Sequence, residues 1–116
     1  MKEKCGVFGI YNCISDTNII PSVINGLKLL QHRGQEGCGI AFENNKQLDI
    51  HKGLGLVTNV FNHDISIETN KCIGHVRYST SGNSKINDDS KLSECQPLEG
   101  NINGEDFYIS HNGNIP

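Results

Sequence analysis

The stretch Cys5-Gly6-Val7-Phe8-Gly9-Ile10-Tyr11 (CGVFGIY, residues 5–11) is apolar, carries β-branched and aromatic side chains, and begins almost at the N-terminus. Such a run reads as a buried strand. Outward from it, residues 12–18 (NCISDTN) are turn-formers. Pro21 suits a first helical position, and Ile20, Val23, Ile24, Leu27 and Leu30 recur at three- and four-residue spacing, which predicts a helix from about Pro21 to His32. Residues 38–43 (CGIAFE) and 46–51 (KQLDIH) read as two strands of a hairpin joined at Asn44-Asn45, a dipeptide that tolerates left-handed conformations. Leu54 to Phe61 is a short apolar stretch of undefined type, and Cys72 to Tyr78 (CIGHVRY) reads as another buried strand. Residues 79–95 are polar and nearly patternless, which predicts a long surface loop. A last strand, Phe107 to Ser110, runs into His111-Asn112-Gly113-Asn114. Strands outnumber helices and the connections are of hairpin type, so the fold class is α+β with an antiparallel sheet.

The 116 residues hold one domain or a piece of one. Ten Lys and Arg against 13 Asp and Glu give a formal charge of −3, with the basic residues scattered. That balance argues against nucleic acid and anionic membrane surfaces as partners. No apolar run approaches the roughly 20 residues of a bilayer span, and the start MKEKCGVFGI lacks the apolar stretch of a signal peptide. A cytoplasmic protein is expected. Five cysteines without a C-x-x-C pair point to reduced thiols rather than a disulfide framework or zinc ribbon. Cys72 and His75 form a C-x-x-H pair, but strand alternation sends them to opposite faces, so no metal site is expected. Residues 53–57 (GLGLV) do not make the dinucleotide pattern, and a G-x-S-x-G elbow is absent.

Four places can carry chemistry. Cys5 reads either as a small buried hydrophobe or as an N-terminal nucleophile. In the second case removal of residues 1–4 would put a thiol and an α-amino base on one residue, an amine with a pKa of about 7.7–8.0 being a usable base at neutral pH. Arg33 and Arg77 are the only arginines. Each is suited to a structural ion pair or to two-pronged binding of a carboxylate, which Lys cannot imitate. The run HVRYSTSG (75–82) sets Arg77 at a strand end followed by hydroxyl residues, either a hydroxyl-capped turn or a cradle for an amino-acid carboxylate. HNGN (111–114) is an ordinary Asn-Gly turn or, through the Asn amide and the next Gly N–H, an oxyanion hole.

Taken in order, CGVFGIY, LQHRGQEGCGIA (30–41), KGLGLVTNVF (52–61), GHVRYSTSGNS (74–84), ECQP (94–97) and SHNGN (110–114) resemble the glutaminase domain of the amidophosphoribosyltransferase family. The first segment and the HRG and HNG elements are shared with other class II glutamine amidotransferases, including glucosamine-6-phosphate synthase. The other three select the purine enzyme. The resemblance implies an N-terminal nucleophile (Ntn) hydrolase fold, a four-layer αββα sandwich with antiparallel sheets only partly covered by this chain. It implies residues 1–4 as a propeptide, residues 5–116 as the N-terminal part of the amidotransferase domain, and a phosphoribosyltransferase domain outside this chain.

By the same resemblance Cys5 is the nucleophile, Asn112 and Gly113 form the oxyanion hole, Arg77 with Thr80 binds the substrate carboxylate, and Arg33 with Gly34 frames the nucleophile. L-glutamine is the implied substrate, and its ammonia would convert phosphoribosyl pyrophosphate to phosphoribosylamine. No cofactor is implied for this chain, Mg2+ and an iron–sulfur cluster belonging only to the part beyond it. A homo-oligomer is implied at full length. The 116 residues alone are expected to be inactive and to associate through uncovered sheet edges. The alternatives are the glutaminase domain of another class II amidotransferase, an inactive glutamine-binding module, and a plain structural domain.

Overall fold

The computed structural model describes residues 5–15, 17–33, 36–78 and 88–112. Six strands and three α-helices alternate along them: β1 (Gly6–Tyr11), α1 (Ile20–Leu29), β2 (Gly37–Asn44), β3 (Gln47–Leu54), α2 (Val57–Val60), β4 (Lys71–Arg77), α3 (Asp88–Glu94), β5 (Leu98–Ile102) and β6 (Glu105–Ile109). The strands form a four-stranded sheet in the order β1-β4-β2-β3 and a two-stranded sheet β5-β6. Among the described residues these strands all pair antiparallel.

The expected apolar stripe of α1 makes the core. Ile20, Val23 and Leu27 are fully buried, and they pack with Ile24 against Cys38, Ile40 and Phe42 of β2 and Cys72 and Val76 of β4. Each such aliphatic side chain contributes about 1.5–3 kcal/mol when removed from water. Gly74 lets the helix come close, since a Cβ there would stand 2.9 Å from Leu27 Cδ1. Val57, Phe61 and Ile65 close the end of this layer, so the undefined stretch 54–61 finishes β3 and forms the short α2.

The structure shifts several expected boundaries. Helix α1 stops at Leu29, and Gln31–Arg33 tighten into a 3-10 turn in which the Gln31 side chain accepts the Val57 N–H at 2.7 Å. A tertiary hydrogen bond thus takes over from helical periodicity. The β2–β3 hairpin turns one residue later than expected: Asn44 pairs with Gln47, and Asn45 and Lys46 hold the positive φ values, 52° and 67°. A two-residue turn of that hand matches the twist of the flanking strands. Within the expected loop 79–95, residues 88–94 are helical and Cys95 follows them, while positions 79–87 lie outside the described residues. Strand β5 escaped prediction because LEGNI carries only two apolar residues and owes its conformation to pairing with β6 across Asn103-Gly104.

Alternation divides the large sheet chemically. Cys38, Ile40, Phe42, Cys72 and Val76 face α1. Gly37, Gly39, His75 and Arg77 belong to the opposite face. There the segment after α3 lies directly on β2: a Cβ on Gly37 would meet Cys95 Sγ at 2.5 Å, and one on Gly39 would meet the Gln96 carbonyl oxygen. The absence of side chains at 37 and 39 is what admits this segment.

Candidate active site

One end of the large sheet holds several of the residues singled out in the sequence. The β1–β4 register ends on Gly6 opposite Val76, so Cys5 and Arg77 are the next pair along the two strands. Directly opposed residues share a face, which places Cys5 with Val7, His75 and Arg77 on the side away from α1. Cys5 is half-buried and outside any disulfide, Cys13 is exposed, and Cys38, Cys72 and Cys95 are buried. Burial pushes the thiols of Cys38 and Cys72 up to about 12, which keeps them protonated and unreactive.

Arg77 is engaged by two carboxylates. Its Nη2 donates to Glu94 Oε1 at 2.7 Å, and its Nη1 to the Glu94 carbonyl at 3.4 Å. Its Nε stands 3.4 Å from Glu36 Oε1, close enough for an ion pair but without hydrogen-bond alignment. The Glu36 pair is the better shielded, with a Glu36 side chain 14% exposed against 51% for Glu94. Backbone bonds fix the same corner: the Glu36 N–H donates to the Arg77 carbonyl at 2.9 Å, and the Glu36 carbonyl accepts from Gly55 at 2.8 Å.

Strand β6 delivers His111 and Asn112 to this end. The His111 N–H donates to Gln96 Oε1 at 2.7 Å, and the His111 carbonyl oxygen lies 3.1 Å from His75 Nε2. His75 is fully buried. Burial, together with the charge of Arg77 and the His111 ring, lowers its pKa to about 4 against the pull of the His111 carbonyl, so the ring is neutral at physiological pH. Lys52 Nζ donates to the Cys95 carbonyl at 2.9 Å, tying the segment beneath Gln96 to β3.

Cys5 and Arg77 thus flank the end of the β1–β4 pair, and Asn112 follows His111, which is held on the same sheet face by His75 and Gln96. Arg33 lies in the turn after α1, and the expected Gly34, Thr80 and Gly113 lie outside the described residues. Sequence reasoning missed Glu36 and Glu94, the partners of Arg77, because carboxylates distant in sequence carry no spacing signal. It weighed His75 only as a metal ligand, and Gln96 only as part of ECQP. Among the described residues no group of three or more His, Cys, Asp or Glu side chains is placed to hold a metal ion. An open cleft of about 840 Å3 lies at the other end of the sheet, between Ala41–Glu43, Lys71–Ile73 and Glu105–Tyr108.

No protein-family model matches the chain. Curated relatives do. The amidophosphoribosyltransferase of Pyrococcus horikoshii is 44% identical over 117 residues, and that of Methanothermobacter thermautotrophicus 39% over 117; both alignments take in 99% of this chain and 23% of the relative. The chain therefore spans about a quarter of the length of these relatives. A solved structure described as the allosteric regulatory enzyme of purine biosynthesis superposes with a TM-score of 0.68 at 36% identity, covering 88% of this chain and 21% of that one. The glutamine phosphoribosylpyrophosphate amidotransferase of B. subtilis, complexed with ADP and GMP, gives 0.60 at 34% identity, covering 88% and 20%. The fold is accordingly α+β of the Ntn-hydrolase type with antiparallel sheets.

Proposed function

Because the chain belongs, over the segment it spans, to the amidophosphoribosyltransferase family, we propose that it is the glutamine-hydrolysing part of such an enzyme. The observation that supports this reading is that Cys5 precedes β1 beside Arg77 at the end of β4, while His111, the neighbour of Asn112, is held on His75 of the same sheet face, away from α1. Removal of residues 1–4 frees the Cys5 α-amine, which takes the thiol proton. The thiolate attacks the side-chain amide carbon of L-glutamine, and the Asn112 amide and Gly113 N–H hold the tetrahedral oxyanion. The C–N bond breaks, ammonia leaves with the transferred proton, and water cleaves the γ-glutamyl thioester to glutamate. The ammonia is used on phosphoribosyl pyrophosphate in a region of the relatives that this chain does not span; Mg2+ and oligomer contacts belong there too.

Arg77 binds the substrate α-carboxylate by exchange. Its fork is closed by Glu94, an exposed partner, while Glu36 stays behind it as a shielded support. An incoming carboxylate takes the place of the Glu94 side chain, with Thr80, Arg33 and Gly34 completing the frame. The experiment is glutamate formation from glutamine by the intact protein and by Cys5→Ser. Turnover that vanishes in Cys5→Ser supports the reading, and turnover that survives defeats it.

A further inference from the structure

We infer that His75 and Gln96 are positioning residues that set the oxyanion turn by clamping both polar backbone groups of His111, a role that rests on Asn112 belonging to the oxyanion hole. The β5–β6 ladder ends at Leu98 opposite Ile109, so ladder bonds no longer hold residues 110–112. Two side-chain bonds replace them. Gln96 Oε1 accepts the His111 N–H at 2.7 Å, and His75 Nε2 sits 3.1 Å from the His111 carbonyl oxygen.

A carbonyl only accepts, so His75 must donate from Nε2. That selects the Nε2–H tautomer and leaves Nδ1 as a buried lone pair without a hydrogen-bond partner among the described residues. The peptide joining His111 to Asn112 is planar, and its C=O and N–H point in opposite directions. Holding the carbonyl against His75 therefore fixes the plane from which the Asn112 side chain springs.

Both clamps are themselves anchored. His75 is on β4, paired with Val7 of β1 and Gly39 of β2. Gln96 is seated by its own carbonyl on Gly39 and by the Lys52 bond to Cys95. One face of the sheet thus carries Cys5, just ahead of β1, and, through β4 and β2, the two groups that place Asn112. The nucleophile and the oxyanion turn are referred to the same rigid frame, as preorganised stabilisation requires.

The test uses the intact protein with His75→Leu, His75→Gln, Gln96→Met and Gln96→Glu. Gln at 75 can still donate to the carbonyl, and Glu at 96 can still accept, whereas Leu and Met cannot. Two readouts are taken: kcat and KM for glutamine hydrolysis, and the rate at which iodoacetamide alkylates Cys5, a displacement that builds no oxyanion. The expected result is a fall in kcat of about 10–100-fold in His75→Leu and Gln96→Met, below the loss of an oxyanion donor itself. KM and the alkylation rate stay within about twofold, and the two conservative variants recover most of kcat. Undiminished kcat in His75→Leu and Gln96→Met overturns the inference, as does a parallel loss of alkylation. Cys5→Ser separates it from the reading beneath it: an active Cys5→Ser overturns both, whereas an inactive Cys5→Ser beside a fully active His75→Leu overturns this inference alone.

Discussion

Lowering the pH should loosen β4 through His75. Its pKa falls from 6.5 to about 4 in the folded protein, first because burial disfavours the cation, with Arg77 adding repulsion. Between those two values the unfolded chain binds a proton that the folded chain does not, so stability declines as pH falls from about 6.5 and levels off below about 4. A shift of that size amounts to about 3 kcal/mol, with a slope of at most about 1.4 kcal/mol per pH unit. The assay is native-state hydrogen exchange of the β4 amides in the intact protein, corrected for the intrinsic pH dependence of exchange. It compares the wild type with His75→Gln, which keeps a donor toward the His111 carbonyl and does not titrate. The protection of the variant relative to the wild type should rise by about 3 kcal/mol from pH 7 to pH 4. A difference that stays flat across this window would refute the claim that His75 is buried as a neutral ring.

Three further outcomes are expected. Glu94→Gln removes the exposed competitor of Arg77, worth up to about 1 kcal/mol, and should lower KM for glutamine up to about fivefold in steady-state assays, whereas an unchanged or raised KM would contradict the exchange at Arg77. Gly39→Ala drives a methyl group into the Gln96 carbonyl and Lys52 Cβ, and should cost about 1–3 kcal/mol in denaturant unfolding while lowering kcat through the displaced clamp. Leu27→Ala empties a fully buried position between α1 and Gly74, and should cost about 2–5 kcal/mol in the same measurement, with KM for glutamine unaffected.

The elements that sequence reasoning found are those whose pattern is local. The stripe Ile20, Val23, Ile24 and Leu27 faces the core as its spacing requires, and the CGVFGIY and CIGHVRY runs hold most of β1 and β4, although β1 is an edge strand with Val7 and Tyr11 exposed rather than the buried strand its apolar run suggested. What it missed depends on distant partners. Strand β5 has only Leu98 and Ile102 to mark it, and α3 is so polar that its residues read as loop. Cys5, Arg77 and Asn112 stood out in the sequence as residue types, because each brings a chemistry that few side chains share. Their surroundings did not: Glu36, Glu94 and Gln96 become meaningful only when β4, α3 and β6 converge, and His75 looks like half of a metal pair until its ring is found against the His111 carbonyl.

The central claim is that Cys5 becomes an N-terminal nucleophile. Its most direct measurement is the intact mass of the purified protein, before and after treatment with a glutamine-like electrophile, with the adduct located by peptide mapping. The account predicts loss of residues 1–4 and one adduct, on Cys5. Retention of Met1 to Lys4 in a protein that nevertheless hydrolyses glutamine, or an adduct on another cysteine with Cys5 untouched, would contradict it.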